Sequence, residues 1–389
     1  MSIIKDNNVN AFFIHTPFQL HVAQNIIIKE NLLSNILILG YNGSQNDLNF
    51  YKAYDYLKID NLWSMDYKFG DINFVDIRNN KGIYKYIIKL FNRNNQIKKI
   101  ILDNNVSRLY FGDIGCLAYN FFSKQYKSKE IIYFEEGLSH YYNVYVDLSL
   151  KYRCIIPIIK LFVDYMIFIP LFNVKMGYEL FTCRGKFPTV IDKRYSIIPF
   201  YHESYDEILN LDSKVSDKVN FFLDREIEKI SKYNNKRIRV LFLSQPTDIL
   251  DKFNDIDDER IIFDRFFNDL DIENSLILIK FHPRDSELRK KRIFEIFTNL
   301  DIPYIVIFEN VVLPIEVLYN KLSLDLIVGY STSSLFYAKI IMPKVKVVIM
   351  YDYLIQYYKE TRQLNSFAEK NHREIHDLFD MLFNEQLKK

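Results

Sequence analysis

Two adjacent carboxylates and a glycine, Glu135-Glu136-Gly137, follow directly on the apolar run Ile131-Ile132-Tyr133-Phe134. Like charges side by side are costly to take out of water, so such a pair is either a solvated turn or a carboxyl group aimed into a cleft. Gly137 permits the tight turn that the second arrangement needs. A carboxylate held that way can act as a general base, its neighbour raising its pKa. A second group is Lys280-Phe281-His282-Pro283, after the run Ser275–Ile279. Pro283 cannot donate to a sheet ladder, so the strand stops there and leaves His282 at its rim. Histidine is the side chain best suited to deliver a proton near neutral pH, for instance to a leaving phosphate. The third group is Ser331-Thr332-Ser333-Ser334, between the apolar run 324–330 and a helix expected from about Leu335. A helix N-cap needs one hydroxyl. Four, with the backbone amides and the helix dipole, make a phosphate site without a glycine-rich loop. Pro314 and Glu316 read as the first turn of another helix, where an acid is favoured in any case. Facing the same cleft, Glu316 would also accept hydrogen bonds from both ribose hydroxyls of a nucleotide.

These residues share a site only if the elements before them form a parallel sheet, because ligands of open α/β sheets sit beyond the carboxyl ends of the strands. The sequence has that rhythm. "NAFFIHT" precedes the amphipathic "PFQLHVAQNIIIKENL", "NILILGYNG" precedes a polar helical stretch, and "SRLYFGD", "IGCLAYNFFSKQY" and "EIIYFEEG" follow. From about residue 205 a charged helical stretch reads as a linker and surface helix. The rhythm then restarts with "IRVLFLSQ", "SLILIKFHP", "IPYIVIFEN", "LDLIVGYS" and "VKVVIM". The expected organisation is an α/β chain of two Rossmann-like lobes, 1–205 and 236–350, with a linker at 206–235 and C-terminal helices at 351–389. A length of 389 residues, 49% hydrophobic, suits two cores.

A net charge of +2 predicts neither a nucleic-acid binder nor an acid-loving surface, so any basic site is local. Cys116, Cys154 and Cys183 are odd in number and far apart, which fits neither a zinc site nor a disulfide framework and places the chain in the cytoplasm. The first residues carry no basic and apolar leader pattern. The stretch 155–172 is as long as a bilayer span but is interrupted by Pro157, Lys160, Asp164 and Pro170. It is expected to form a buried helix pair, with an interfacial hairpin on a membrane surface as the second reading. The acidic run 255–259 is expected to be a solvated loop.

"FEEGLSHY", "IKFHPRDS" and "GYSTSSLFYA" resemble the three short motifs of bacterial sialyltransferases of two-lobed GT-B architecture. The nearest likeness is to the capsular polysialyltransferases and the related lipooligosaccharide sialyltransferases. Weaker likenesses lie in "IHTPFQL", "RGKFPTVID" and "LFLSQP", so the resemblance runs from about residue 12 to about residue 340. It implies a nucleotide-sugar cleft between the lobes and an inverting transfer of sialic acid from CMP-sialic acid to a hydroxyl of a lipooligosaccharide or capsular polysaccharide. Glu135, or Glu136, would deprotonate the acceptor. His282 would protonate or hydrogen-bond the departing phosphate, which Ser331, Ser333 and Ser334 would bind. Lys280 and Pro283 would lie beside the nucleotide and Glu316 would hold the ribose. His15 and Gln19 would face the acceptor. Several members have Asp where this chain has Glu in the acidic pair. CMP is a ready leaving group, so no metal or other cofactor is implied. The expected partners are the donor and a glycan or glycolipid acceptor, with no nucleic acid, and with peripheral contact to the inner face of the inner membrane. A polysialyl acceptor would need a basic groove, for which Lys151, Arg153, Arg184, Lys186, Lys193 and Arg194 are the candidates. Two other readings stay open: a GT-B enzyme using CMP-Kdo or a UDP-sugar, and a non-catalytic partner in polysaccharide assembly.

Overall fold

A computed structural model describes residues 8–40, 47–69, 82–112, 117–135, 165, 169–173, 192–197, 206–211, 214–233, 238–245, 256–268, 274–283, 285–309, 311–330, 332–361 and 377. The chain divides into two compact units, Met1–Lys214 and Val215–Lys389.

The first unit contains β1 (Val9–Ile14), α1 (Pro17–Glu30), β2 (Ser34–Gly40), α2 (Asp47–Leu57), β3 (Met65–Phe69) and α3 (Gly82–Asp103). It continues with β4 (Val106–Phe111), α4 (Leu117–Gln125), β5 (Glu130–Phe134), the short α5 (Ile169–Phe172), β6 (Lys193–Ser196) and β7 (Asp206–Ile208). The strands form one parallel sheet in the order β3-β2-β1-β4-β5-β6-β7. The central strands are continuous apolar runs because helices cover both faces of such a sheet. Phe12 stacks on Tyr110 at 4.1 Å between ring centroids, and Phe13 on Phe111 at 4.6 Å, so β1 and β4 are joined through both faces. A capping box of Thr16 and Gln19, with Pro17 in the first turn, starts α1 directly after β1, and Asn31 ends it in the left-handed region at φ 53°.

The second unit contains α6 (Asp217–Ser231), β8 (Ile238–Leu243), α7 (Ile256–Asn268), β9 (Ser275–Lys280), α8 (Glu287–Asn299) and β10 (Tyr304–Val306). Then come α9 (Glu316–Tyr319), β11 (Leu326–Gly329), α10 (Ser333–Ile341), β12 (Lys346–Ile349) and α11 (Tyr351–Thr361). Its sheet is also parallel, in the order β10-β9-β8-β11-β12. An aromatic layer of Phe242, Phe263, Phe267 and Phe297, in edge and tilted contacts, fills the space between β8, α7 and α8. In both units the strand order reverses beside the first strand, between β1 and β4 and between β8 and β11, which is where Rossmann-like sheets open a crevice at their carboxyl edge.

Three local readings change. Asp206–Ile208, expected in the linker, forms the edge strand of the first sheet, paired with β6. The acidic run 255–259 is not a solvated loop: residues from Ile256 onward are the helix α7, and Glu259 is 2% exposed. Its partner at Ile262, Phe263 and Phe266 is the apolar face that draws the helix, and Glu259 with it, onto the sheet. The helix after the serine cluster starts at Ser333, with Thr332 as its cap, and not at Leu335. Of the stretch 155–172, all but Tyr165 and Ile169–Phe172 lies outside the described residues. Among the described residues, no helix is long and apolar enough to cross a membrane.

Candidate functional site

In the first unit, the ends of β1, β4, β5 and β6 lie side by side. Glu135, immediately after β5, is 2% exposed. Its N–H donates to the Tyr195 carbonyl at 3.0 Å, and its Oε2 accepts the Ile197 N–H at 2.5 Å. The carboxyl group is therefore tied to the neighbouring strand, which sets its position more firmly than a loop would. Glu136 and Gly137 lie outside the described residues. His15 and Gln19 flank the start of α1. Gln19 Oε1 accepts the N–H of His15 at 2.6 Å and of Thr16 at 3.2 Å, so its carbonyl serves the cap, while its Nε2 is buried with no partner. Burial lowers the His15 pKa to about 4, leaving a neutral imidazole at pH 7. A Cβ on Gly112, at the end of β4, would meet Gln19 Cδ and Phe134 Cε2 at 2.7 Å. The glycine therefore lets α1 pack against the end of β5, beside Glu135.

In the second unit, the predicted residues come from β9, α9 and the β11–α10 junction. Lys280 is the last residue of β9; its Nζ donates to the Phe281 carbonyl at 3.3 Å and stands 5.8 Å from the Phe308 ring centroid. Burial lowers its pKa to about 8, against the opposing pull of Glu316 and Asp285. Glu316 opens α9 and is buried; Ser334 Oγ donates to its Oε1 at 2.6 Å. Burial raises the Glu316 pKa, while the Ser334 hydroxyl, its own backbone N–H and the Lys280 charge hold it down. Lys280, Glu316 and Ser334 thus form one group, although 54 positions separate the first from the last. Thr332 Oγ1 accepts the Ser334 N–H at 3.4 Å and caps α10. Ser333 is the first residue of that helix, and Ser331 lies outside the described residues.

His282 and Pro283, both half-buried, occupy a closed turn. The His282 N–H donates to Asp285 Oδ2 at 2.8 Å, and the Asp285 N–H returns to the His282 carbonyl at 2.9 Å. Behind this turn is a buried ionic group that the sequence reading missed. Arg289 Nη1 pairs with Glu259 Oε2, and Tyr330 Oη donates to Glu259 Oε1 at 3.0 Å. Burial raises the Asp285 pKa, opposed by the His282 N–H and the Arg289 charge. The order Pro-x-Asp-Ser before a helix was a local signal for Asp285, since it is turn and cap chemistry. Glu259 and Arg289 are 30 residues apart with nothing local to join them. Phe308, at φ 53°, is a bulky residue in the left-handed region beside Lys280, and such strain is held where surrounding structure over-determines it.

Lys193 and Arg194 are not available to a basic groove: Lys193 pairs with Glu207 at 2.6 Å and Glu30 at 3.5 Å, and Arg194 is buried. The other four basic candidates lie outside the described residues. Among the described residues, no three His, Cys, Asp or Glu side chains gather as metal ligands would.

The profile of one family, alpha-2,8-polysialyltransferase (POLYST), matches residues 10–351. No curated protein sequence matches the chain. Among solved structures, Medicago truncatula UGT71G1 complexed with UDP-glucose aligns at a TM-score of 0.50 and 11% identity, over 98% of this chain and 91% of that one. The GT-B domain of the sialyltransferase from Photobacterium damselae aligns at 0.45 and 12%, over 90% and 96%. A glycosyltransferase from Rickettsia africae aligns at 0.44 and 10%, over 98% and 97%. The likeness is one of fold: two Rossmann-like units of the GT-B class.

Proposed function

The chain belongs to the alpha-2,8-polysialyltransferase family and is a sialyltransferase, and on that premise we propose that it moves sialic acid from CMP-sialic acid to a hydroxyl of a cell-surface glycan, with inversion and without a metal. The observation that carries the donor reading is the group Lys280, Glu316 and Ser334 at the carboxyl edge of the second sheet, beside the start of α10. It offers a cation, a carboxylate and helix amides within one site, which is what a base, a ribose and a phosphate require. His282 follows Lys280 by two positions beyond the end of β9, and there it would protonate or hydrogen-bond the departing phosphate oxygen.

In the proposed reaction the acceptor oxygen bonds to the anomeric carbon of sialic acid as the bond from that carbon to the phosphate oxygen breaks. The hydroxyl proton goes to the acidic pair, and CMP leaves with the electron pair. A single displacement with one base inverts the anomeric carbon. Glu135 is our choice of base because the Ile197 N–H fixes its carboxyl group at the sheet edge. The family description favours a sialic-acid-ended acceptor, and the lipooligosaccharide reading has no comparable support. Contact with the inner membrane would bring the enzyme to such acceptors.

The test is transfer from CMP-sialic acid to labelled acceptors ended by galactose or by sialic acid, in EDTA and with Glu135→Gln and Glu136→Gln. Transfer to the sialylated acceptor should survive EDTA, and Glu135→Gln should lower it by about two orders of magnitude or more. An active Glu135→Gln beside an inactive Glu136→Gln would move the base to the second acid. Full activity in both variants would refute a base in this pair.

A further inference from the structure

We propose that Ser334 is a positioning residue for Glu316, and through it a determinant of ribose over deoxyribose recognition, leaving the phosphate to Ser333 and the α10 amides. The inference rests on the donor reading above and changes one part of it, since the hydroxyls of the serine cluster no longer share one task.

A serine hydroxyl has a single proton to donate. In Ser334 that proton is directed to Glu316 Oε1 over 2.6 Å, the length of a hydrogen bond to a charged acceptor. A phosphate oxygen needs a donor, and this one is already given. The rest of Ser334 is fixed as well. Its N–H donates to Thr332 Oγ1 at 3.4 Å, and its carbonyl accepts the Tyr319 hydroxyl at 2.9 Å. Tyr319 is the last residue of α9, the four-residue helix that Glu316 opens, so α9 and the start of α10 are joined by two hydrogen bonds, Ser334 to Glu316 and Tyr319 to Ser334. Glu316 is 8% exposed, and burial favours its neutral form. The Ser334 hydroxyl and the Lys280 cation oppose that and hold its pKa down. Held in one rotamer by this hydrogen bond, its carboxylate form would accept from a ribose diol; without Ser334 it would lose both the rotamer restraint and part of its charge stabilisation.

The experiment is calorimetric binding of CMP and 2′-deoxy-CMP to the full chain and to Ser333→Ala, Ser334→Ala, Ser334→Thr and Glu316→Gln. A hydrogen bond to a charged group corresponds to roughly 10- to 100-fold in affinity, so the unmodified protein should prefer CMP by about tenfold or more. Ser334→Ala and Glu316→Gln should bring the two nucleotides to within about threefold of each other, and Ser334→Thr, which keeps the hydroxyl, should restore the preference. Ser333→Ala should weaken both nucleotides alike and keep the ratio. Equal weakening of both nucleotides by Ser334→Ala, with the ratio intact, overturns the proposal and returns Ser334 to the phosphate. Absence of CMP binding in the unmodified protein would defeat the donor reading itself, whereas CMP binding without ribose preference defeats this inference alone.

Discussion

Replacing Arg289 by Met should destabilise the second unit far more than replacing Arg289 and Glu259 together. Arg289 is 7% exposed and Glu259 2%, and their ion pair is closed on the far side by the Tyr330 hydroxyl. Removing one partner of a buried pair leaves an uncompensated charge, at a cost of about 3 to 5 kcal/mol. Arg289→Met leaves the Glu259 carboxylate, among the described residues, with the Tyr330 bond; Glu259→Gln keeps an acceptor for Tyr330 but strands the guanidinium. The double variant Glu259→Gln/Arg289→Met removes both charges and keeps that acceptor, so about 1 kcal/mol of loss should remain. The double variant is then about 2 to 4 kcal/mol more stable than Arg289→Met alone, a difference large against a whole-domain stability of roughly 5 to 15 kcal/mol. Urea unfolding followed by two probes reads this out. The single tryptophan, Trp63, lies in the first unit, 8% exposed and donating to Gln24 Oε1 at 3.3 Å, so its fluorescence reports that unit. Circular dichroism reports both units. The expected result is a shifted circular-dichroism transition with the Trp63 transition in place. A cost below about 1 kcal/mol for Arg289→Met, or a double variant as unstable as the sum of the singles, would refute the reasoning.

Two further predictions concern pH. Lys280 has its pKa lowered from 10.5 to about 8, so its charge is present below pH 8 and lost as pH rises through that value; CMP affinity should decline above about pH 8 and stay level in Lys280→Arg, with calorimetry from pH 7 to 9.5 as the check and a level profile in the unmodified protein as the contrary result. His15 and His21 are lowered from 6.5 to about 4 by burial, so the unfolded chain takes up two protons that the folded chain refuses, and stability should fall as pH drops from about 6.5 towards 4, by up to roughly 3 kcal/mol for each. In His21→Leu the pH slope of Trp63-detected stability over that range should drop by about one proton, and an unchanged slope would show that His21 is not refused its proton.

The strand ends were readable because a parallel sheet writes its strands as unbroken apolar runs, and Pro283, Gly112 and the acidic pair interrupt those runs at the places where they end. What escaped was set by partners distant in sequence. The acids of the run 255–259 look solvated because they are dense, yet Glu259 shares a helix face with Ile262, Phe263 and Phe266 and finds Arg289 on another helix. Asp206–Ile208 is too short and too charged to read as a strand, and it becomes one only because β6 offers an open edge. Lys193 and Arg194 look like a basic patch from their adjacency, but alternation along β6 sends them to opposite faces of the sheet, where one meets two carboxylates and the other is buried.

The serine cluster shows the same limit at the site itself. Counted locally, its four hydroxyls exceed what a helix cap requires, and the excess reads as an anion site. Among the described residues, Thr332 caps the helix and Ser334 gives its proton to a carboxylate 18 positions earlier in the chain. A local surplus of donors therefore indicates that something acceptor-like is nearby without saying whether it is a substrate phosphate or a side chain that will hold the substrate. Only the partner at the other end of the hydrogen bond decides between them, and for Ser334 that partner is Glu316.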